Sequence, residues 1–307
     1  MLCVIGDLVE DVVVWLPTNL SYGTDTPSRI VRTRGGSAAN VAVFASAVEQ
    51  QQHNKYRARL IAQVGTDTLG DQLVAALESS GVHPCVVRSG RTGSIVVIVS
   101  PDGERTMLTD RAAATELNRA PANWHEGVSV LHVPAYSLFS QPLSEAAQQC
   151  IEQAHNKNIA VSIDASSASL IKSFGVDKFR DLVHQLRPKI FFCNADEAEV
   201  MNLKEQPLGL EIVVIKAGAR PTTVIENSVV RSVDVEQVDE IVDSTGAGDA
   251  FAAGFLTKFA EQRAGATSGN TSGATSSASH DSYICVIAGH AVATRVLRSP
   301  GATMDTP

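Results

Sequence analysis

The stretch DSTGAGDAFAAGFL, which occupies residues 243–256, joins a run of small residues to the start of an apolar helix. Phe251, Phe255 and Phe259 recur at helical spacing, which predicts a buried face on a helix that begins near Gly246–Gly248. The first N–H groups of a helix have no partner within it, and the helix dipole adds partial positive charge there. Because the residues at this point are small, a phosphate could approach the backbone closely. The stretch therefore predicts an anion site at a helix N-terminus.

Asp249 lies in the first turn of that helix, beside the predicted anion. A carboxylate is not needed to bind phosphate and would repel it, so it suggests a general base for a hydroxyl that attacks the phosphate. Alternatively, Asp249 is a favourable first-turn acid and the glycines form a plain turn. A dinucleotide-binding loop is disfavoured, because Phe251 holds the third glycine position and no strand follows to complete a βαβ unit. Residues 238–243, VDEIVD, are predicted to form a strand that leads into the loop.

The composition favours a globular protein with a small-molecule substrate. The chain has 307 residues, 44% of them hydrophobic, which is enough for a large buried core. Its net charge of -8 gives no general attraction for nucleic acid or anionic lipid, so we expect neither nucleic-acid nor membrane partners. The five cysteines are scattered without a C-x-x-C pair, which indicates buried thiols rather than zinc ligands or disulfides. The N-terminus lacks a basic segment and no apolar run approaches the ~20 residues of a membrane helix, so we predict a cytoplasmic protein.

Short apolar runs recur along the chain, and segments with helical periodicity separate many of them. Wholly apolar runs are typical of central strands that are covered on both faces. The predicted strands are residues 2–5, 59–64, 130–133, 159–164, 189–194 and 211–216. The predicted helices include residues 68–81 (which end at a glycine suited to the C′ position), 143–158 and 196–203. This alternation predicts an α/β fold with a central, mostly parallel sheet flanked by helices.

Three regions contain strand pairs without a helix between them. Residues 10–17 with 28–34, and the hairpin at 93–109, predict a small β appendage beside the main domain. A hairpin over 221–233 is predicted to belong to the main domain. The Ser/Thr/Gly/Ala tract at 264–282 buries too little apolar area to offset its ordering entropy, so we predict a flexible surface insertion between two helices.

The stretch RGGSAANVAVFASAV, at residues 34–48, is the second informative one. Gly35 and Gly36 precede a predicted helix with Ser37 as its N-cap, and Asn40 falls in the first turn. A glycine pair lets a ligand lie against the backbone, and an amide can hold a hydroxyl by hydrogen bonds. Asparagine is a mediocre helix former, so its presence favours a binding role.

Together the two stretches resemble the ribokinase-like (pfkB) carbohydrate kinase family, through G-G-x-x-A-N at 35–40 and D-[ST]-x-G-A-G-D at 243–249. The resemblance extends over nearly the whole chain. Intermediate segments that also match, in the same order, are residues 63–73, 92–107, 193–201 and 216–224. It implies a single kinase domain over 1–307, with a large α/β unit and a small β-sheet lid formed by about residues 10–34 and 88–112.

The resemblance implies an ATP-dependent phosphotransferase with Mg²⁺ as its metal cofactor. Asp249 would be the base that deprotonates the acceptor hydroxyl of a sugar or sugar-like substrate. The N–H groups of Gly246, Ala247 and Gly248 would form the anion hole for the phosphoryl group in transfer.

Four residues of the central segments match positions that the family uses for nucleotide and metal. Asn194 and Glu197 fit its N-x-x-E motif, which organises Mg²⁺ and phosphates largely through water, and Mg²⁺ prefers oxygen ligands. Lys216 and Gly218 end a strand where the family touches the nucleotide phosphates. From the residues alone, Asn194 and Glu197 could equally be a strand-end turn and a first-turn acid, and Lys216 a solvated strand-end lysine.

On the acceptor side, the resemblance assigns substrate contacts to Asp11, Gly36 and Asn40. For Asp11 the alternative is a surface acid at the lid edge. Arg111 follows the lid hairpin, and either reaches the substrate or phosphate or lies at the surface.

Asp243 and Thr245 resemble positions near a monovalent cation such as K⁺, together with the segment around Gly301. Family members often dimerise through the lid. The apolar run VVVW at 12–15 is compatible with such a homodimer and equally with a lid core.

The chain departs from ribokinase proper in its acceptor residues. Val9 replaces an asparagine, Ser37–Ala38 replace Lys-Gly, and Arg111–Ala114 lack the glycine and asparagine found there. Ribose as the acceptor is therefore in doubt, and a less polar pocket is expected. The sequence favours a sugar kinase, with a nucleoside kinase of the same fold, or a nucleotide- or sugar-binding regulator without activity, as alternatives.

Overall fold

The computed structural model of the chain describes residues 1–48, 57–268, 281–299 and 301–304. Its strands are β1 (Leu2–Ile5), β2 (Val9–Trp15), β3 (Arg29–Gly35), β4 (Ala58–Val64), β5 (Val82–Arg88), β6 (Thr92–Val99), β7 (Arg105–Ala112), β8 (Val130–Pro134), β9 (Ala160–Asp164), β10 (Ile190–Asn194), β11 (Ile212–Ala217), β12 (Arg220–Glu226) and β13 (Val229–Val233). Its α-helices are α1 (Ser37–Val48), α2 (Thr68–Ser79), α3 (Leu143–Asn156), α4 (Ala168–Phe174), α5 (Val176–Leu186), α6 (Ala195–Val200), α7 (Ala247–Ser268) and α8 (Ser282–Leu297).

The larger of two sheets has the order β13-β12-β11-β10-β9-β8-β1-β4-β5 in the described residues. All neighbours from β5 to β11 pair in parallel, whereas β12 and β13 are antiparallel at one edge. The predicted mostly parallel sheet is confirmed, and so is the hairpin over 221–233. Its turn residues Asn227 and Ser228 both have positive φ, at 48° and 68°, as the favoured hairpin turns require.

Helices cover both faces of this large sheet, as wholly apolar strands require. Strand β1 illustrates the alternation: Leu2 and Val4 join the core under α1, α7 and α8, whereas Cys3 and Ile5 join the core under α3 and α5. The five cysteines are free and buried, as predicted. In the described ranges, no helix is both long and apolar enough to cross a membrane.

A small sheet stands apart from the large one, with the order β3-β2-β6-β7. The two helix-free regions of the sequence merge here, because β2 and β6 pair in parallel while β3 and β7 pair antiparallel at the edges. Val9, Ile95 and Val97 bury one face against Ala114, and Val13 packs on that cluster. At least Val13 of the VVVW run therefore contributes to the core of the small sheet.

Two local predictions differ from the structure. The predicted strand at 238–243 is wrong: the segment is irregular, because the N–H groups of Val242 and Asp243 donate to the carbonyl of Leu297 at 2.8 and 3.3 Å rather than to a strand. Helix α7 continues to Ser268, so residues 264–268 of the predicted flexible insertion are helical; residues 269–280 lie outside the described ranges. Helix α2 ends as expected, with Gly81 at φ 75° just beyond it.

Candidate active site

A cavity of about 610 Å³ runs between the carboxyl ends of the large-sheet strands and the small sheet. Ligands of open α/β folds commonly bind at this edge of the sheet. Every predicted site residue except Asp243 lines the cavity, although these residues are spread along most of the chain. The residues concerned are Asp11, Gly36, Asn40, Arg111, Asn194, Glu197, Lys216, Gly218, Thr245, Gly246, Ala247, Gly248 and Asp249.

Asp249 lies in the first turn of α7, and its carboxylate contacts α1. The hydroxyl of Ser37 donates to its Oδ1 at 2.8 Å, and Nδ2 of Asn40 donates to its Oδ2 at 2.9 Å. Burial raises the pKa of Asp249 to about 7, although these two hydrogen bonds act in the opposite direction. A carboxylate with this pKa can accept a proton near neutral pH.

The chain between β3 and α1 brings Ser37 and Asn40 to this position, and both glycines of the turn leave room for neighbouring groups. A Cβ on Gly35 would lie 2.1 Å from the carboxylate of Asp11, and a Cβ on Gly36 would lie 2.5 Å from the carbonyl oxygen of Asp7. Gly36 also has φ of 99°, which an L side chain rarely adopts.

The prediction of Ser37 as N-cap needs correction, because Ser37 is the first residue of α1 and its hydroxyl donates to Asp249. The first-turn N–H groups are satisfied from a distant segment. Asp7, which follows β1, accepts from the N–H of Ala38 through Oδ1 at 3.2 Å and from the N–H of Ala39 through its carbonyl at 3.3 Å.

The loop before α7 presents N–H groups to the cavity, and the set differs from the predicted one at two residues, Ala247 and Asp249. The N–H of Ala247 donates to the carbonyl of Ser244 at 3.2 Å. In the part of the chain that the structure describes, the N–H groups of Gly248 and Asp249 have no acceptor. Gly246 has φ of 78°, and a Cβ there would lie 3.0 Å from that of Ala302. The N–H group of Gly246 likewise has no acceptor among the described residues, so the open donors of this segment are those of Gly246, Gly248 and Asp249, with Ala247 already engaged.

At the end of the cavity beside β2 and β7, two residues that were not predicted, Asp7 and Arg34, contact predicted site residues. Nη1 of Arg34 donates to Oδ1 of Asn40 at 2.7 Å, so the Asn40 amide is held between Arg34 and Asp249. Burial raises the pKa of Asp11 to about 6, with Asp7 adding to this shift and Arg34 opposing it. Burial likewise lowers the pKa of Arg34 to about 10, and the charges of Asp11 and Asp249 oppose that shift.

Arg111 reaches into the cavity rather than lying at the surface. Its Nη1 donates to Oδ2 of Asp7, and its guanidinium lies 4.6 Å from the centre of the Tyr136 ring. Asp7 and Tyr136 carry little local signal in the sequence, because their roles depend on contacts with β7 and α1. Arg34 does stand beside the glycine pair, and that position is the only local signal for it.

The opposite end of the cavity is built from three adjacent strand ends. Nζ of Lys216 on β11 lies 2.6 Å from Oδ2 of Asp164 on β9, and both side chains are largely buried. Between them, at the end of β10, Asn194 and Glu197 form a capping box. Burial raises the pKa of Glu197 to about 7, and the charge of Asp164 adds to the shift. Asp164 was missed, although it ends a predicted strand at the edge where ligands bind.

The oxygen-rich donor set at this end suits Mg²⁺ held through water. Asp164 and Glu197 supply carboxylates to one cavity, and Mg²⁺ prefers oxygen ligands and retains several waters. No group of three or more His, Cys, Asp and Glu side chains among the described residues could hold a metal directly. Gly218, with φ of 63° and open space around its Cα, also lines this end.

An apolar slot continues from the Lys216 end of the cavity towards α8. It is formed by Val238 and Ile241 from the irregular segment before the loop, and by Ala293 and Leu297 from α8. His290 closes its floor, where Nε2 lies 2.9 Å from the hydroxyl of Thr222.

Asp243 and Thr245 do not form an open cation site. Oδ1 of Asp243 accepts from the N–H and hydroxyl of Thr245 at 2.8 and 2.7 Å, and Oδ2 accepts from the N–H of Gly301 at 2.9 Å. The guanidinium of Arg105, on β7, also pairs with Oδ1. The residues therefore do not fit a bound K⁺, because a second positive charge would repel it.

The model of the pfkB family carbohydrate kinases matches residues 1–307. A relative, the probable fructokinase-3 of Arabidopsis thaliana, is 22% identical over 277 residues, which cover 84% of this chain and 77% of that protein. Among solved structures, the probable sugar kinase protein from Rhizobium etli CFN 42 matches with a TM-score of 0.82 and 21% identity, over 99% of this chain and 95% of that chain. The adenosine kinase from Sinorhizobium meliloti matches with a TM-score of 0.80 and 20% identity, over 98% and 94%. These structural likenesses establish the fold.

Proposed function

The chain belongs to the pfkB family of carbohydrate kinases, and from this premise we propose that it transfers the γ-phosphoryl group of ATP to a hydroxyl of a sugar or sugar-like acceptor. One observation carries the proposal. The Asp249 carboxylate, with a pKa of about 7, stands beside the open N–H groups of Gly248 and Asp249 in the middle of the shared cavity.

Asp249 acts as the general base in this proposal. The acceptor hydroxyl gives its proton to the carboxylate while its oxygen forms a bond to the γ-phosphorus, and the bond from that phosphorus to the ADP oxygen breaks. Ser37 and Asn40 hold the carboxylate by one hydrogen bond to each oxygen, which fixes its orientation towards the acceptor.

The loop and Lys216 stabilise the charge on the phosphoryl group. The N–H groups of Gly248 and Asp249 are the donors of the anion hole, and they require no rearrangement during the reaction. A Cβ on Gly248 would lie 3.5 Å from Nζ of Lys216, so the ammonium stands close to the same loop. We assign the nucleotide phosphates to this end, with Gly218 beside them.

Asp164, Asn194 and Glu197 would hold Mg²⁺ through water, and the metal would supply charge neutralisation for the phosphates. Arg111, Asp11 and Gly36 would contact the acceptor. Asn40 would contact the acceptor too, and it also orients the Asp249 carboxylate, because its amide is held between Arg34 and Asp249. The small sheet would act as the lid that excludes water and limits ATP hydrolysis.

A nucleoside kinase is the second candidate, and the acceptor end supports it. Ile95, Val97 and Met107 of the small sheet line the cavity, and so does Tyr136. An apolar wall of this kind suits a flat base better than a polyhydroxylated sugar. The adenosine kinase from Sinorhizobium meliloti shares the fold.

The test is ADP release from Mg·ATP in the presence of K⁺ across a panel of pentoses, hexoses, keto-sugar acids and nucleosides. Asp249→Asn is measured in parallel. Activity with sugars that the variant loses supports the sugar kinase, and activity with nucleosides alone supports the second candidate. ATP binding without transfer to any acceptor would instead favour a binding protein without activity and contradict the proposal.

A further inference from the structure

Both ends of β7 are tied to the large domain by ion pairs. Arg105, at its first residue, pairs with Asp243, which precedes the loop at 244–248 (the anion loop). Arg111, near its last residue, pairs with Asp7 at the acceptor end. All four side chains are largely buried, with exposed fractions of 24% and 11% for the first pair and 23% and 5% for the second. The strand thus fixes the small sheet at two separate points along the cavity.

The Arg105 pair differs from a surface salt bridge because Asp243 is already an organising group. It holds the N–H and hydroxyl of Thr245 and the N–H of Gly301, so it connects the start of the anion loop to the segment after α8. Burial acts to raise the pKa of Asp243, but these hydrogen bonds and the charge of Arg105 lower it overall. The carboxylate is therefore ionised, and its counter-charge comes from the chain itself.

At the position that resembles a monovalent cation site, the positive charge is therefore that of the Arg105 side chain. A carboxylate offers about four lone-pair positions, and Oδ1 of Asp243 alone receives three donors. A K⁺ ion beside Oδ1 would lie next to the Arg105 guanidinium, which carries the same charge.

We propose that the guanidinium of Arg105 replaces the monovalent cation at this loop, so that phosphoryl transfer by this protein does not require K⁺. Arg105 is then a positioning residue: it acts through Asp243 and Thr245 on the loop that carries Gly246–Gly248. The kinetic part of this inference rests on the proposed kinase activity, whereas the cation-binding part does not.

The first experiment compares the wild-type protein in buffers of equal ionic strength whose only monovalent cation is K⁺, Na⁺ or tetramethylammonium. We expect initial rates that agree within roughly twofold, which is less than 0.5 kcal/mol in activation free energy. A rate in tetramethylammonium roughly tenfold or more below the rate in K⁺ would overturn the inference.

The second experiment uses Arg105→Met, which removes the charge and keeps much of the aliphatic stem. We expect its rate to fall roughly tenfold or more in tetramethylammonium, and K⁺ to restore part of that loss. The loss should appear in kcat more than in the acceptor KM, because the substitution disturbs the loop before α7 and leaves the acceptor contacts in place. Arg105→Lys should keep the wild-type independence of K⁺. Equal rates for Arg105→Met and wild type in every cation would contradict the positioning role.

Arg91→Met is the matched control, since Arg91 pairs with Asp110 on the same sheet but both side chains are about two-thirds exposed, at 62% and 63%. Exposed pairs contribute little, so this variant should retain wild-type rates and cation independence. A cation response equal to that of Arg105→Met would assign the effect to the net charge of the sheet.

Thermal unfolding separates this inference from the proposed function. KCl should raise the Tm of Arg105→Met relative to tetramethylammonium chloride, and should leave that of the wild type unchanged. An equal rise in the wild type would show that the site binds K⁺ despite Arg105, and would refute the inference. This result is obtained even if no acceptor in the panel is phosphorylated, and the wild-type measurement stands even if the variant does not fold.

Discussion

Ser37→Ala should shift the pH dependence of phosphoryl transfer without removing any group that reacts. The Ser37 hydroxyl donates to Oδ1 of Asp249 at 2.8 Å and stabilises its ionised form. A hydrogen bond to a charged group contributes about 1.5–3 kcal/mol. Because Asp249 lines the cavity and is partly exposed, we take the lower end of this range, which corresponds to about one pKa unit.

The direction of the shift follows from the role of a base. The carboxylate must be deprotonated to act, so activity rises with pH through the pKa of Asp249, which is about 7. In Ser37→Ala this midpoint should move up by about one unit. At pH 7 the ionised fraction then falls from about one half to about one tenth, so kcat/KM should fall roughly fivefold. At about pH 9 the two proteins should differ by less than roughly twofold.

The assay is kcat/KM for the acceptor from about pH 5.5 to 9.5, because this quantity reports the pKa values of the free enzyme. Asp11 and Glu197, with pKa values of about 6 and about 7, titrate in the same range. The displacement between variant and wild type isolates Asp249, because Ser37 donates to neither of them.

Ser46→Ala is the matched control for this experiment. Ser46 is a buried serine on the same helix, and its hydroxyl donates to the carbonyl of Ser80 at 2.7 Å. Its replacement should lower stability and leave the pH midpoint unchanged. An unchanged midpoint in Ser37→Ala, or a uniform loss of rate at every pH, would show that Ser37 does not tune the pKa of the base.

The remaining predictions concern Asp249, the loop and the buried ion pair. Asp249→Asn should retain ATP binding and lose about 10²–10⁴-fold in turnover; near-full activity would contradict the assignment. Above pH 7 the same variant should have a higher Tm than the wild type. The folded-state pKa of Asp249 is raised from 3.8 to about 7, so in the wild type this carboxyl loses stabilisation as pH rises between those values. A Tm difference, variant minus wild type, that is smaller at pH 8 than at pH 5 would count against this prediction. Gly248→Ala should have the Tm of the wild type, since its Cβ meets only Nζ of Lys216 at 3.5 Å, but it should weaken phosphoryl transfer. Gly246→Ala should weaken transfer and also lower the Tm, because residue 246 has φ of 78°. Equal Tm losses for the two variants in melts without ATP would contradict this distinction. Lys216→Met leaves Asp164 buried without its partner and should lower the free energy of unfolding, measured with denaturant, by about 3–5 kcal/mol. Adding Asp164→Asn should recover part of that loss. An additive loss in the double variant would show that the pair is not coupled.

Much of the fold could be predicted because its signals are local. The apolar runs at 2–5 and 189–194 are strands since both of their faces are covered, and the spacing of Phe251, Phe255 and Phe259 requires one buried helix face. The segment at 238–243, in which only half of the residues are apolar, was also predicted as a strand and is irregular. Its N–H groups bond to the end of α8, and nothing in its own residues specifies that partner.

The family, the α/β class and the glycine-rich start of α7 follow from the sequence, because periodicity, small residues and motif order are properties of neighbouring residues. Tertiary structure alone decided how these parts work together. Asn40 and Ser37 reach Asp249 across 209 and 212 residues of chain, and Arg105 reaches Asp243 across 138. The pKa of Asp249 and the charge balance of the loop follow from burial and from donors on distant segments, which only the folded chain brings within hydrogen-bonding distance.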